Sequence, residues 1–507
     1  MNLKKREDKM WEKIKNIERR DFLKNLASWK SFIFYKRDDN VTLYPDVNRI
    51  WPLHSNEDYE KIRDSFDKYG RGYNFNKSFF DNYKDLFTQI PCVRLKKLLP
   101  YENSEYIDSG WYGIKNCYLS IWPFSDCENV LYSFEVKEKC SNVYSSVMVR
   151  NWCSNVFNSV WIINSYNTFY SKFIFDSSNL WFCTNMIGCS ECIDCDNLQN
   201  QSYCIDNIQY SQEEYRKKKK EILKDKNNFY TKFLNLASKW NNIESNNVRW
   251  SFNVKCENIE NWYLNFNIHW WRNLILAGST NWNKYMYNTF VCGSPHMDHA
   301  YHCLDSWWGD YMYNSERSAM SSHVYYCYYI ENCSYCLGCI WIKNKQFYIL
   351  NKQYSKEERF EKANEIFEQM EKDWILGDFF PWSMNPFYFN DTAAYLIDDS
   401  FTKEEVEKEW YLRRDEEIKV DIPEWAEMVS TTKWWNDKMI KSLDDFEWFD
   451  ENWEWKIDPE IMKKVIRDEK GNCYKIVKME YDFLVKHWLP LPRLHRLDRI
   501  KLGFKFK

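Results

Sequence analysis

The sequence predicts an α+β, β-rich protein organised around two short parallel β-solenoid segments with 12–13-residue coils, each closed by a capping helix. Three observations carry the prediction. A Cys/Ser repeat of about six residues runs from Cys127, the end of that repeat recurs 144 residues later, and a helix-start signal follows each copy.

The repeat comes first, because missing an internal period miscalls a whole fold. From Cys127 the chain reads "CENVLY SFEVKEK CSNVYS SVMVRNW CSNVFN SVWIIN SYNTFY SKFIFD SSNLWF CTNMIG CSECID CDNLQN". Of the eleven steps between these twelve units, nine are six residues long and two are seven. The first position is always Cys or Ser. The fourth is aliphatic or Met in ten units, Thr168 and Cys192 being the exceptions. An inward residue at every third position fits neither the 3.6 period of an α-helix nor the period of 2 of a flat strand. It fits a chain wound into a narrow coil, each turn stacked on the last at about 4.8 Å. Asparagine takes the third position at 129, 142, 155, 167 and 179, in alternate units, so one coil is two units. Stacked coils then place these amides in a ladder. Handedness is open.

The second copy, "SSHVYYCYYIENCSYCLGCIWIKNKQFYILNKQYSKEE", sets Cys327, Cys333, Cys336 and Cys339 at the same 144-residue offset from Cys183, Cys189, Cys192 and Cys195. Ser211-x-x-Glu214 and Ser355-x-x-Glu358 are capping boxes opening charged helices, and Thr402-x-x-Glu405 opens a third. Solenoid ends need covering against edge-to-edge association, and a helix after each last coil supplies that. The resulting division is 1–100, an N-terminal α/β region; 101–210, a first solenoid; 211–245, its capping helix; 246–354, a second solenoid; 355–378, its capping helix; and 379–507, a C-terminal α+β region.

Bulk properties limit function. A net charge of −4 and pI near 6.2 give no global attraction to nucleic acid or anionic membrane. No apolar run reaches the roughly 18–20 residues that span a bilayer. The N-terminal "MNLKKREDKMWEKIKN" has no apolar core of a secretion signal. With 18 cysteines, a cytoplasmic chain is expected to hold reduced thiols or metal ligands rather than a disulfide framework.

Glycine is scarce, 12 residues of 507, where about 7% is usual, while tryptophan occurs 27 times. Several tryptophans stand in turn-like contexts: Trp152 in "RNWCSN", Trp161 in "SVWIIN", Trp341 in "CIWIKN", Trp374 in "EKDWILGDFFP" and Trp453 in "DENWEWKIDP". Backbone freedom, not a large indole, is expected there. A source that reads UGA as glycine, translated here as tryptophan, explains both numbers; a genuine aromatic bias in an AT-rich genome is the alternative.

The combination of "YGRGYNFNKSFFDNYKDL", the Cys/Ser-Asn coils, "CxxCxxC…NKQYSKEE", "GDFFP…NPFYFND" and "LPLPRLHRLDR" resembles an uncharacterised, cysteine-rich, zinc-ribbon-labelled protein family of candidate-phyla bacteria. The resemblance covers about 50–400 well and 470–499 more loosely. It implies zinc ribbons at the termini, no assigned activity, lineages some of which use UGA for glycine, and glycine at positions 374 and 410. This chain departs from the pattern where zinc would sit. The first 60 residues hold no cysteine, and only Cys473 lies near the C-terminus, beside a degenerate ribbon-like end with His495. Four well-placed ligands are needed, so the ribbons are expected to be absent or metal-free.

Three candidate sites follow. Cys183, Cys189, Cys192 and Cys195, and likewise Cys327, Cys333, Cys336 and Cys339, have the spacing of metal knuckles for zinc. They also fall where serine sits in other coils, which suits a buried wall or a redox pair. "CGSPHMDHAYHC" gathers His296, Asp298, His299, His302 and Cys303, a set suited to zinc or iron, or else a polar bulge in the second solenoid. Arg493, Arg496 and Arg499 near the C-terminus offer phosphate contacts to nucleic acid, or form a solvated tail. The "RKKKK" run at 216–220 reads as the exposed face of a helix. No phosphate-cradling loop, H-E-x-x-H or nucleophile elbow is present, so no catalytic set is assigned. The expectation is a non-enzymatic cytoplasmic binding or scaffolding protein that offers its solenoid faces to a protein partner. The alternative is a metal-binding protein or metal-dependent enzyme centred on residues 292–303.

Overall fold

Every third residue of the coils adopts a left-handed backbone, and that single habit generates the β-solenoid. A computed structural model describes residues 61–93, 101–108, 112–236, 309–316, 318–415, 426–432 and 441–504 with small gaps, plus short strand segments and single residues elsewhere. The chain divides into two compact units. One comprises 96–239 with 415–507, the other 1–95 with 240–414.

In the first of these, strands of four residues, with one of seven at Tyr118–Phe124, follow one another from Glu105–Asp108 to Ser202–Ile205 and pair in parallel with the strands one coil away. Val147 pairs with Val160 and Val160 with Lys172, so the coil length passes from 13 to 12 residues without losing register. The extra residue is taken up at one corner. Each seven-residue unit ends in two consecutive left-handed residues, Glu138–Lys139 and Asn151–Trp152, where six-residue units have one. Left-handed residues recur at 142, 145, 148, 151, 155 and 158, and four such corners close a 12-residue coil. Asparagine tolerates this conformation better than most residues, which explains its recurrence at the third position.

Between corners, the first and fourth positions point inward. Cys140, Val143, Ser146 and Val149 are all buried, as are Cys153, Val156, Ser159 and Ile162 one coil on. The Cys/Ser rule has a hydrogen-bonding cause. Ser171 Oγ donates to the Phe169 carbonyl at 2.9 Å and accepts the Cys183 N–H of the next coil at 3.1 Å. Ser177 does the same for Phe175 and Cys189, at 2.6 and 2.9 Å. A small side chain with one donor and one acceptor satisfies two buried backbone groups at each such corner. On the outside the predicted amide ladder is present. Asn103, Asn116, Asn129, Asn142, Asn155, Asn167 and Asn179 each pass an amide hydrogen to the next at 2.7–3.1 Å.

The C-terminal region of this unit packs on the coils. Phe483 of the helix Lys478–His487 stacks on Tyr144 with centroids 4.3 Å apart. Residues 493–499, read as a solvated tail, instead lead into the helix Arg496–Phe504, in which Arg499 and Ile500 are buried. Gly503 lies so close to the coils that a Cβ there would sit 2.6 Å from Val147 Cγ2.

The other unit repeats the coil geometry over Asp310–Tyr313 and Ser322–Tyr325, with Asp310 paired to Ser322 and bridges such as Ser334 to Gln346 at the same 12-residue step. Here the N-terminal helix Phe79–Phe87 packs on the coils, Phe79 lying 5.0 Å from Tyr326. Both capping boxes are formed, at the helices Gln212–Ile222 and Lys356–Lys372, and Thr402 accepts from Glu405 N–H at the start of Lys403–Lys408. The basic run at 216–220 lies largely exposed on the first of these helices. No helix among the described residues is long and apolar enough to cross a membrane.

The dual role of the inward hydroxyl predicts an asymmetric mutational response. Ser171→Ala strands the buried Cys183 N–H and is expected to cost about 1–3 kcal/mol in denaturant unfolding. Ser171→Cys keeps a donor and an acceptor and should stay close to the parent.

Candidate functional site: the cysteine column and the open face

The eight coil cysteines singled out by their spacing all point inward. The thiols of Cys183, Cys189, Cys192, Cys195, Cys327, Cys333, Cys336 and Cys339 each donate to the carbonyl two residues earlier, at 3.2–3.6 Å. That is the bond serine makes in neighbouring coils. All eight are buried free thiols. Burial pushes Cys140, Cys183, Cys189 and Cys339 above the usual thiol range, and Cys117 up to about 12. A protonated, desolvated thiol is neither a nucleophile nor a ready metal ligand, whereas hydrogen bonds from Cys183 and Cys192 hold Cys195 down to about 4. Among the described residues, no group of three or more His, Cys, Asp or Glu side chains is placed to hold a metal ion.

The histidine-rich candidate lies almost wholly outside the described residues. Of its candidate ligands only Cys292, in the strand Cys292–Gly293, and Asp298, in the strand Met297–Asp298, are placed; His296, His299, His302 and Cys303 fall outside.

The C-terminal arginines have internal partners. Arg499 Nη1 donates to Glu480 Oε1 at 2.7 Å and to Ser145 Oγ at 2.9 Å, and its guanidinium lies 5.0 Å from the Tyr132 ring centroid. Both ends of the ion pair are buried, so it joins the helix Arg496–Phe504 to the helix Lys478–His487, while the Ser145 bond ties Arg499 to a coil corner. Arg493 pairs with Asp444 and, at 3.3 Å, with Glu447. Burial lowers Arg496 to about 10. These contacts assemble the unit rather than present a row of free charges.

Sequence reasoning missed the most perturbed charges of the same unit. Lys226 is buried beneath aromatic rings, 4.7 Å from the Phe229 centroid and 5.0 Å from that of Trp455, and its ammonium donates to the Trp488 carbonyl. Burial lowers it to about 7. Glu447 is raised to about 7, also by burial, while it accepts the Leu491 N–H at 2.8 Å. Opposite shifts in neighbouring groups are a known mark of active sites. Here, however, the ammonium sits on the carbonyl of Trp488, the left-handed residue that follows the helix Lys478–His487, close to the C-terminal end of that helix dipole. Nothing in "KDKNNFY" distinguishes Lys226 from a surface lysine, so no sequence signal was available.

One side of the first coils stays partly accessible, with Ser178 buried in its middle. The row Ser141, Ser154, Tyr166, Ser178, Ser190 and Ser202 stacks in register. It runs alongside the amide ladder, and Ser190 and Ser202 hydrogen-bond at 3.0 Å. Tyr166 is half exposed, while the valines of the strand Val147–Arg150 lie buried. The row is polar, and at its end Glu191 of the adjoining column pairs with Lys219 at 2.8 Å. In the other unit, the column 144 residues on from Asn167, Asn179, Glu191 and Tyr203 holds Tyr311, His323, Tyr335 and Phe347. Their rings stack at 4.6, 4.7 and 5.4 Å. Burial lowers the His323 pKa, which keeps the ring neutral within the stack. The same column thus carries amides in one unit and rings in the other.

The fold and this surface define a β-solenoid with ladder-bearing faces. No family model, curated protein or solved structure matches the chain.

Lys226 gives a signed pH test. The folded state releases its proton near 7, whereas the unfolded lysine keeps it to about 10.5. The unfolded chain therefore binds more protons across that window, and stability rises with pH through it. The parent is expected to gain stability relative to Lys226→Met between pH 7 and 10; parallel curves would contradict the burial of the charge.

Proposed function

We propose that the chain is a non-enzymatic binding or scaffolding protein of the cytoplasm, in which two short solenoid segments with 12–13-residue coils, each closed by its capping helix, present ladder faces to an extended protein partner. The observation that carries this reading is the Ser/Tyr/Asn face at 141–202, regular at coil spacing and partly exposed, with Tyr166 half exposed and Ser178 buried, while Phe483 of the helix Lys478–His487 packs on Tyr144. An extended segment laid along such rungs meets the same donors and acceptors at each step, which suits affinity built from repetition. The buried Arg499–Glu480 pair joins two C-terminal helices and, through Ser145, meets the coils, and the inward thiols are engaged with backbone carbonyls. Both uses favour a structural over a catalytic role. The resemblance to a family without assigned activity is consistent with it.

A photo-crosslinking residue at Tyr166, in cells of the source organism, is expected to trap a discrete protein partner that the same residue at Lys217 does not. Ser154→Arg with Ser190→Arg should abolish the adduct while leaving thermal unfolding unchanged. Equal labelling at both sites would overturn the reading. Stoichiometric zinc or iron, lost on replacing His299 and His302 with alanine, would instead favour the metal-centred alternative at 292–303.

A further inference from the structure

Within the coils, any residue type occupies the left-handed corners, so a tryptophan there carries no special information. Outside the coils the picture is different. Among the described residues beyond 101–209 and 310–351, the non-glycine residues with positive φ are Trp374, Trp410, Trp453 and Trp488, at φ of 60, 64, 60 and 58°. All four are tryptophan. A bulky residue in this region is an outlier, because its Cβ crowds the carbonyl that glycine leaves clear.

Their local settings are those in which glycine is ordinarily selected. After the helix Lys356–Lys372, Trp374 follows the C-cap Asp373, and the next N–H, of Ile375, reaches back to the Met370 carbonyl at 3.0 Å. After Lys403–Lys408, Trp410 follows the C-cap Glu409, and Tyr411 N–H reaches the Val406 carbonyl at 3.2 Å. After Lys478–His487 stands Trp488, and Leu489 N–H reaches the Leu484 carbonyl at 2.9 Å. These are three Schellman closures, whose left-handed residue is usually glycine. Trp453 closes the hairpin between Glu447–Phe449 and Trp455–Ile457, in the left-handed position after a turn where glycine is again the usual choice. The indoles themselves face outward: Trp374 is 86% exposed and Trp410 80%.

Other tryptophans behave as tryptophans. Trp455 is buried in a strand, with its indole Nε1 donating to the Leu489 carbonyl at 2.9 Å. Trp181 ends the strand Ser178–Trp181 with its ring 4.4 Å from Phe169 and 5.8 Å from Phe229. The chain therefore contains two populations under one letter.

We infer that the native polypeptide carries glycine at positions 374, 410, 453 and 488, encoded by UGA that its own ribosomes read as glycine, and genuine tryptophan at 181 and 455, encoded by UGG. The assignment accounts for part of the imbalance, taking glycine from 12 to 16 and tryptophan from 27 to 23. It also removes four outward indoles from the surfaces available for docking.

Peptide mass spectrometry of the protein isolated from its source organism tests the assignment position by position. Glycine at 374, 410, 453 and 488 together with tryptophan at 181 and 455 is the expected result; tryptophan at 374, 410 or 488, or UGG codons there, overturns it. A second readout uses the chain as written, expressed in a standard host. Replacing all four with glycine should raise the melting temperature, whereas Trp181→Gly or Trp455→Gly should lower it. A fall in melting temperature for the fourfold variant would refute the conformational argument.

Discussion

The left-handed corner at every third coil residue is the constraint on which the rest depends. It turns the chain out of an extended path every three residues, and four corners return it to its starting point one strand spacing higher. Once that happens, backbone groups of one coil meet those of the next, as in Ser141 N–H to the Cys153 carbonyl at 2.9 Å. Each corner is sterically unfavourable for an L-residue. The cost is offset because each coil lends hydrogen bonds to two neighbours, and because the interior excludes water around Val143, Val156, Thr168 and Leu180.

From this constraint the chemistry of the interior follows. The corner leaves a carbonyl and an N–H that the sheet ladder does not pair, and only a small side chain able to donate and accept fits beside them. Serine and cysteine meet that requirement. Cysteine adds a more apolar surface, and it gathers in the last coils, just before the capping boxes. The exterior follows as well, since side chains at equivalent corners lie one coil apart and make ladders of whatever the sequence supplies: amides at 103–179, rings at 311–347.

Much of this was legible in the sequence because the signals are local and repeated. The three-residue inward spacing, the alternate asparagines and the two S-x-x-E boxes each encode a nearest-neighbour rule, and each appears in the structure as read. Partnership between distant segments had no such signal. That Phe79 of the N-terminal region meets Tyr326, or that Phe483 and Arg499 of the C-terminal region meet Tyr144 and Ser145, depends on surface shape set by the folded coils. The basic C-terminus shows the difference most plainly. Arg499 reads as a solvated charge until Glu480 and the Tyr132 ring are placed around it. The cysteine runs are the converse case, looking like metal knuckles alone and like wall once placed in register.

Native-state alkylation followed by peptide mass spectrometry tests the wall most directly. If the thiols of 183–195 and 327–339 line a closed coil interior, they remain unlabelled under reducing, non-denaturing conditions and become labelled together only as the protein unfolds globally, with no metal released. Rapid labelling of Cys189, Cys192, Cys333 or Cys336 in the folded protein, or stoichiometric release of zinc on their modification, would contradict the account.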